Sequence, residues 1–525
     1  MSQRARPFDL FRVLTPCAAL LLLSACGGTG GDKGAEGAAE DYVAEAPPAA
    51  EATAWSCSTS TDLPGDITQT VANASQTDLD QYSWDSFLAL AASSVKGTIP
   101  TSGDTDPLWS GWSSTVDFIE NQGGDFGLPS YPEACKNAAF PAGKTYNDYR
   151  VVSQVDKVND TIDEAGDVTN KDIVKGRAQG VGFSDPLIAA NGHFVRYEIV
   201  MNEVMFNYVK GLNLYNKAGL AALTGDLSFP PATNDDNGGD PSNSNSGAIA
   251  VKLAWLQTDG LTTDDFHTTD LLVYNPAAYS STKTDTCSVQ TMALVGAHLV
   301  RKTTKQPKWI WSTFEHKSNT PDCTGLPPQG DGTPGTGPNQ ACPTDYTASY
   351  TLNPGTVCTG SNCASCNTAP SANCSGTSSS GWCVDQKVTS GFSQLCRQVQ
   401  TGGTTTVDGY GSAGVNNTCA TSLGSSVWAN YELISTQWIN SANTKVPQLP
   451  VGPSGTQKAY LANTTMESAE RSNCLGCHNA GVIAADDNPS QPKTDSMYWI
   501  AIEVPGGPSS DSASLETKAA HRSGP

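Results

Sequence analysis

Sixteen cysteines, unevenly spread, limit how this chain of 525 residues can fold. Nine of them fall between Cys323 and Cys419, in a stretch dense in Gly, Ser, Thr and Pro and poor in large apolar side chains. Such a stretch cannot hold itself by burial, so cross-links must restrict its unfolded state. Cys57, Cys135 and Cys287 join the nine, and an even set of twelve is what a disulfide framework in an oxidising compartment requires. Spacing alone does not fix the pairing. The other four, Cys17, Cys26, Cys474 and Cys477, belong to features of a different kind.

The first of these is at the N-terminus. Arg4, Arg6 and Arg12 precede an apolar run over 13–23 that is too short to span a bilayer as a mature helix. The order of charge, apolar run and small residues reads as a cleaved export signal over 1–25. Leu23-Ser24-Ala25-Cys26-Gly27 resembles the bacterial lipobox, which implies cleavage before Cys26 and acylation of its thiol and new amino group. Residues 26–55 are Gly, Ala, Glu and Pro with few core-forming side chains, a composition that predicts a disordered tether reaching on the order of 30 Å. Several acyl chains would hold the protein firmly on a membrane, and the absence of an aspartate after Cys26 favours the outer one. No second apolar run of spanning length is present in the sequence.

Charge narrows the partners. Fifty-two carboxylates face thirty basic side chains, a net charge of −22, which repels nucleic acid and anionic lipid headgroups. The expected associations are therefore the lipid anchor and a redox partner protein or small electron donor or acceptor, with no nucleic acid.

Periodicity gives a coarse map. Tyr82, Phe87, Leu88, Leu90 and Ala91 recur at helical spacing over 78–94. From Phe194, apolar residues at Tyr197, Met201, Val204, Met205, Tyr208, Leu212 and Tyr215 keep a three-four rhythm that predicts one long amphipathic helix of about six turns. The polar segment 230–246 lacks the closing glutamate of a calcium loop and reads as solvated. Ile249, Val251, Leu253 and Trp255 then alternate with smaller residues, a strand pattern, and further strands are expected at 270–275, 288–301 and 308–316 as an antiparallel meander. Strand-like character resumes over 427–439, and a short helix from Thr465 should lead into the next motif. The expected fold class is α+β: a β-rich antiparallel meander with a long amphipathic helix, a disulfide-rich loop insertion and a small helical c-type haem segment. The expected boundaries after the tether are a mixed α/β domain at 56–320, the insertion at 321–425, a haem-binding C-terminal region at 426–505 and a disordered tail at 506–525.

Cys474-Leu475-Gly476-Cys477-His478 carries the chemistry. Each thiol can add to one haem vinyl group, and the adjacent imidazole then sits beneath the iron as proximal ligand, giving one covalent haem c. Cys363-Ala-Ser-Cys366 shares the cysteine spacing, but Asn367 stands where a haem site needs His, so it reads as structural. A zinc half-site is disfavoured because no second Cys/His pair lies close by in the sequence. For the sixth ligand three residues compete: Met497, nineteen residues beyond His478, and the rivals His298 and His316. An open iron is the fourth possibility and would favour catalysis.

Several segments also resemble a group of uncharacterised bacterial proteins, the cytochrome c family proteins. They are Tyr82-Ser83-Trp84-Asp85-Ser86-Phe87, Arg196-Tyr197-Glu198 with Met201-Asn202, and Val251-Lys252-Leu253-Ala254-Trp255. Trp309-Ile310-Trp311-Ser312-Thr313-Phe314-Glu315-His316 with Asn319 and Pro321 follows, then Asn430-Tyr431-Glu432-Leu433 and Thr436-Gln437-Trp438 ahead of the haem motif. The resemblance implies haem c and electron transfer and adds no catalytic residue. Three function classes fit these readings. The foremost is a membrane-tethered electron carrier on the periplasmic or outer face. The others are a haem oxidoreductase, peroxidase-like or with a substrate-binding domain, and a surface binding protein with an accessory haem.

Overall fold

The computed structural model describes residues 55–57, 62–67, 74–92, 99, 103, 106–153, 155, 186–233, 244–322, 350–354, 383–389, 392–397, 399, 401, 412–438, 463–466, 474, 478, 495–497 and 499–502. Expectations about the signal, the lipid site at Cys26, the tether and the tail lie outside these residues, as do most of the insertion and Cys477.

An eight-stranded mixed sheet organises the chain. Its strands are β1 (Ser113–Ser114), β2 (Val151–Val152), β3 (Arg196–Met201), β4 (Ile249–Gln257), β5 (Thr268–Asn275), β6 (Thr286–Arg301), β7 (Ile310–His316) and β8 (Tyr431–Gln437). The meander expectation is realised in β5 to β8, each pairing antiparallel with the next, while β4 skips β5 and pairs with β6. β3 lies outside β4, antiparallel to it, and β2 adds the one parallel pair among the described strands. β6 is sixteen residues long and carries β4 on one edge. Its other edge takes β5 along Thr286–Ala293 and β7 along Gly296–Arg301. A bulge where Ala254 pairs Gly296 and Trp255 pairs Leu294 leaves Val295 over and curls the sheet.

One face of the sheet packs on helix α1 (Gln76–Ala91), which coincides with the expected helix near 78–94. A capping box between Ser75 and Asp78 starts it. Its inward side chains meet the sheet through aromatic rings: Phe87 stacks on Phe314 at 4.2 Å, and Trp84 meets Phe314 edge-on at 5.2 Å. The Trp84 indole donates to Asn416 on the helix α3 (Ala413–Leu423), and Asn416 Nδ2 donates to the Leu433 carbonyl of β8. Disulfides Cys57–Cys419 and Cys135–Cys287 close this body, and Cys383 and Cys396 are also disulfide-bonded. The sequences on either side of the cysteine-rich stretch thus share one sheet, because β8 pairs with β7.

The long helix expected from Phe194 is corrected. β3 occupies Arg196–Met201, and a shorter helix α2 runs only over Glu203–Gly211. Val195, Tyr197, Ile199 and Met201 alternate with Arg196, Glu198 and Val200, and almost all are buried. A strand covered on both faces yields apolar positions that also satisfy helical spacing. Asn202 sets the boundary: its Oδ1 accepts from Met205 N, capping α2, and from Ile249 N, while its Nδ2 donates to the Gly247 carbonyl. Among the described residues no helix is long and apolar enough to cross a membrane.

Candidate haem site

The face of the sheet opposite α1 receives the C-terminal segment. Side chains alternate across a strand, so Trp311, Thr313 and Glu315 of β7 point to this face. The cross-strand partners continue it: Trp311 with Val300 and Ala250, Thr313 with His298 and Lys252, and Glu315 with Gly296 and Ala254. Residues 463–466 lie over the Glu315 row. Asn463 Nδ2 donates to Thr313 Oγ1 at 2.6 Å and to the Phe314 carbonyl at 3.0 Å. Thr464 N and Oγ1 both donate to the Glu315 carboxylate, and Tyr197 OH donates to the Thr465 carbonyl. Thr465 Oγ1 lies where a Cβ on Gly296 would be, so only glycine lets the turn come this close.

Glu315 also holds Arg397, whose guanidinium reaches Asp322 at 3.1 Å and Glu432 at 3.6 Å. Burial pushes the Glu315 and Asp322 carboxyls up, and the three carboxylates around Arg397 hold its guanidinium firmly charged. The cluster ties together β7, β8, the chain next to Cys396 and the turn at 463–466. It is a structural joint on the approach to Cys474 and His478.

Two rows further along the same face lie Cys474 and His478. Both are in helical backbone, and their four-residue spacing suits one helix face. Cys474 is buried in an apolar cluster with Met201, Met205, Phe206, Trp309, Trp311, Met497, Trp499 and Ile500. The half-buried His478 ring packs against the Trp311 ring, with centroids 4.2 Å apart. His478 Nδ1 lies 2.9 Å from the Ser496 carbonyl oxygen. A carbonyl can only accept, so Nδ1 carries the proton.

The three rivals for the sixth position fall in different places. Met497 is buried in the same apolar cluster as Cys474. His298 is buried on the same sheet face, its ring 6.1 Å from that of Trp311. His316, by contrast, points to the other face, where it stacks on Phe266 and meets Tyr431 edge-on. Its Nε2–H donates to the Asp265 carbonyl and its Nδ1 accepts from Ser318 N, so both nitrogens are engaged by backbone. Burial drives its pKa down to about 3 and keeps the ring neutral.

Residues that spacing rules did not single out complete the site. Asp495 Oδ2 accepts from Lys302 Nζ at 2.7 Å and from Phe229 N at 3.0 Å, and the Asp495 carbonyl accepts from Trp309 Nε1 at 2.6 Å. Burial pulls the Lys302 ammonium pKa down against the pull of Asp495. The only sequence signal for this group was Asp495 beside Met497 and the Trp309-Ile310-Trp311 alternation on a strand. Among the described residues no group of three or more His, Cys, Asp or Glu is placed to hold a metal ion. A haem requires no such group, since the porphyrin supplies four of the iron's ligands and the protein needs one imidazole and the thiols. Cys474 and His478 fit that donor set in residue type, spacing and tautomer. Neither a family model, nor a curated protein, nor a solved structure matches the chain.

Proposed function

We propose that the protein is an exported, lipid-tethered c-type cytochrome that passes electrons through one covalent haem. Cys474 and Cys477 would carry the two thioether bonds and His478 would be the proximal ligand. When bound, the haem supplies a one-electron couple between ferrous and ferric iron. The residues of this chain do the rest. Ser496 fixes the imidazole tautomer through its carbonyl, and Trp309, Trp311 and Met201 give the segment an apolar, water-poor floor. That floor and the carbonyl contact are the levers by which a protein sets the basicity of an axial histidine and the potential of its metal. The carrying observation is that Cys474 and His478, four residues apart, meet one sheet face, with Cys474 in its apolar cluster, His478 packed on Trp311 and His478 Nδ1 on the Ser496 carbonyl. The acidic chain, tethered through Cys26, suits a redox partner that presents a basic surface.

The test uses full-length protein exported from a host that matures c-type cytochromes. His478→Ala should abolish the low-spin spectrum of the wild type, and an unchanged spectrum would contradict the ligand assignment. Absence of any spectral response to carbon monoxide or cyanide would favour the carrier over a peroxidase-like enzyme.

A further inference from the structure

Residues 495–497 adopt a conformation that needs holding. Asp495 and Ser496 both have positive φ, 50° and 67°, the left-handed region that non-glycine residues seldom visit. Consecutive left-handed residues persist only when surroundings over-determine them. Here Asp495 is fixed at three points: its carboxylate by Lys302 Nζ and Phe229 N, its carbonyl by the Trp309 indole. The ion pair is nearly enclosed, with side-chain exposure of 3% for Lys302 and 8% for Asp495. What these contacts achieve is to aim the next carbonyl, that of Ser496, at His478 Nδ1.

We infer that residues 495–497 form a clamp on the proximal side of His478, with Asp495 and Lys302 as positioning residues, and that Met497 supplies no sixth ligand. The inference rests on the haem reading above. It follows from placement. His478 Nδ1 faces the Ser496 carbonyl, so a haem iron that His478 would hold through its other nitrogen would lie away from residue 496, while Met497 follows directly on that carbonyl. Met497 is therefore tied to the histidine side, where its thioether fills the apolar cluster with Cys474. Of the two histidine rivals, His298 shares the sheet face with His478, whereas His316 points away from it.

The experiment uses the full-length holoprotein with the variants Met497→Leu, Asp495→Ala and Asp495→Asn. Met497→Leu keeps the volume of the cluster and should leave the ferric visible and near-infrared spectra unchanged. A methionine-to-iron near-infrared band in the wild type that vanishes in this variant would overturn the clamp. Asp495→Ala should release the carbonyl contact, making the imidazole less electron-rich and moving the midpoint potential positive. Asp495→Asn, which still accepts from Phe229 N, should restore part of the shift. A potential that stays put in both, with far-ultraviolet dichroism showing native fold, would reduce Asp495 to a packing residue and overturn its positioning role. Denatured wild-type protein that retains no haem would instead defeat the underlying haem reading, so the two failures are distinct.

Discussion

Asp80 is a carboxylate enclosed among neutral donors, Gln76 Nε2 at 2.9 Å and Ser412 Oγ at 2.8 Å. Burial outweighs these hydrogen bonds and pushes its pKa up to about 6. A folded-state value above the unfolded one means that the folded chain holds this proton more tightly. The stabilising term is full below about pH 4 and is lost as pH rises through about 6. Relative to an Asp80→Asn variant, the wild type should lose on the order of 3 kcal/mol between pH 4 and 7. Urea unfolding of both proteins across that range checks it, and parallel pH profiles would refute it. His316 has the opposite slope. Its depressed value makes its contribution full above about pH 6.5 and lost on acidification towards pH 3. A His316→Gln variant should therefore unfold with a weaker pH dependence below pH 6.5 than the wild type, read from acid titration of tryptophan fluorescence.

The strands were well marked in the sequence because their alternation runs through residues buried on one or both faces. The pattern in 249–255 became β4, and the segments near 270–275, 288–301 and 308–316 became β5 to β7 within one or two residues. The stretch after Phe194 reads as a helix but folds as β3 for the same physical reason: when both faces are covered, spacings of two and of three to four coincide. Only Asn202, with its three buried backbone contacts, marks the break, and two of those contacts depend on partners 45 and 47 residues away. Pairing of β4 with β6 was likewise not readable, since it is set by long-range register. One close approach joins the sheet to the C-terminal segment. Gly296→Ala would place a methyl group on Thr465 Oγ1 and lift the 463–466 turn from β6. The expected result is a loss of about 1–3 kcal/mol in stability and a lower yield of attached haem, while a well-loaded, equally stable variant would contradict this docking.

Taken as a whole, the body is held by links distant in sequence. Cys57–Cys419 spans 362 residues and ties the chain ahead of α1 to α3, on the face away from the haem motif. A Cys57→Ala, Cys419→Ala double variant should lose about 3–5 kcal/mol against denaturant yet keep its haem spectrum, because the site is anchored from the other side of the sheet. Loss of the spectrum under native conditions would show that the two faces are not independent in this way. The even cysteine set, from which Cys57–Cys419 and Cys135–Cys287 are paired, is legible in residue types, since it depends on local composition. The clamp at 495–497 and the sheet face that receives Cys474 are not, since they depend on which side of a strand a residue faces after folding.

The central claim is a tetrapyrrole bonded to Cys474 and Cys477, and mass spectrometry of the acid-acetone-extracted, denatured protein tests it most directly. A chain heavier by one haem, with the increment carried by the peptide containing Cys474 to His478 and absent from the Cys474→Ala, Cys477→Ala variant, is the expected result. A colourless chain of unmodified mass in that peptide, from a host proven to mature other c-type cytochromes, would contradict it.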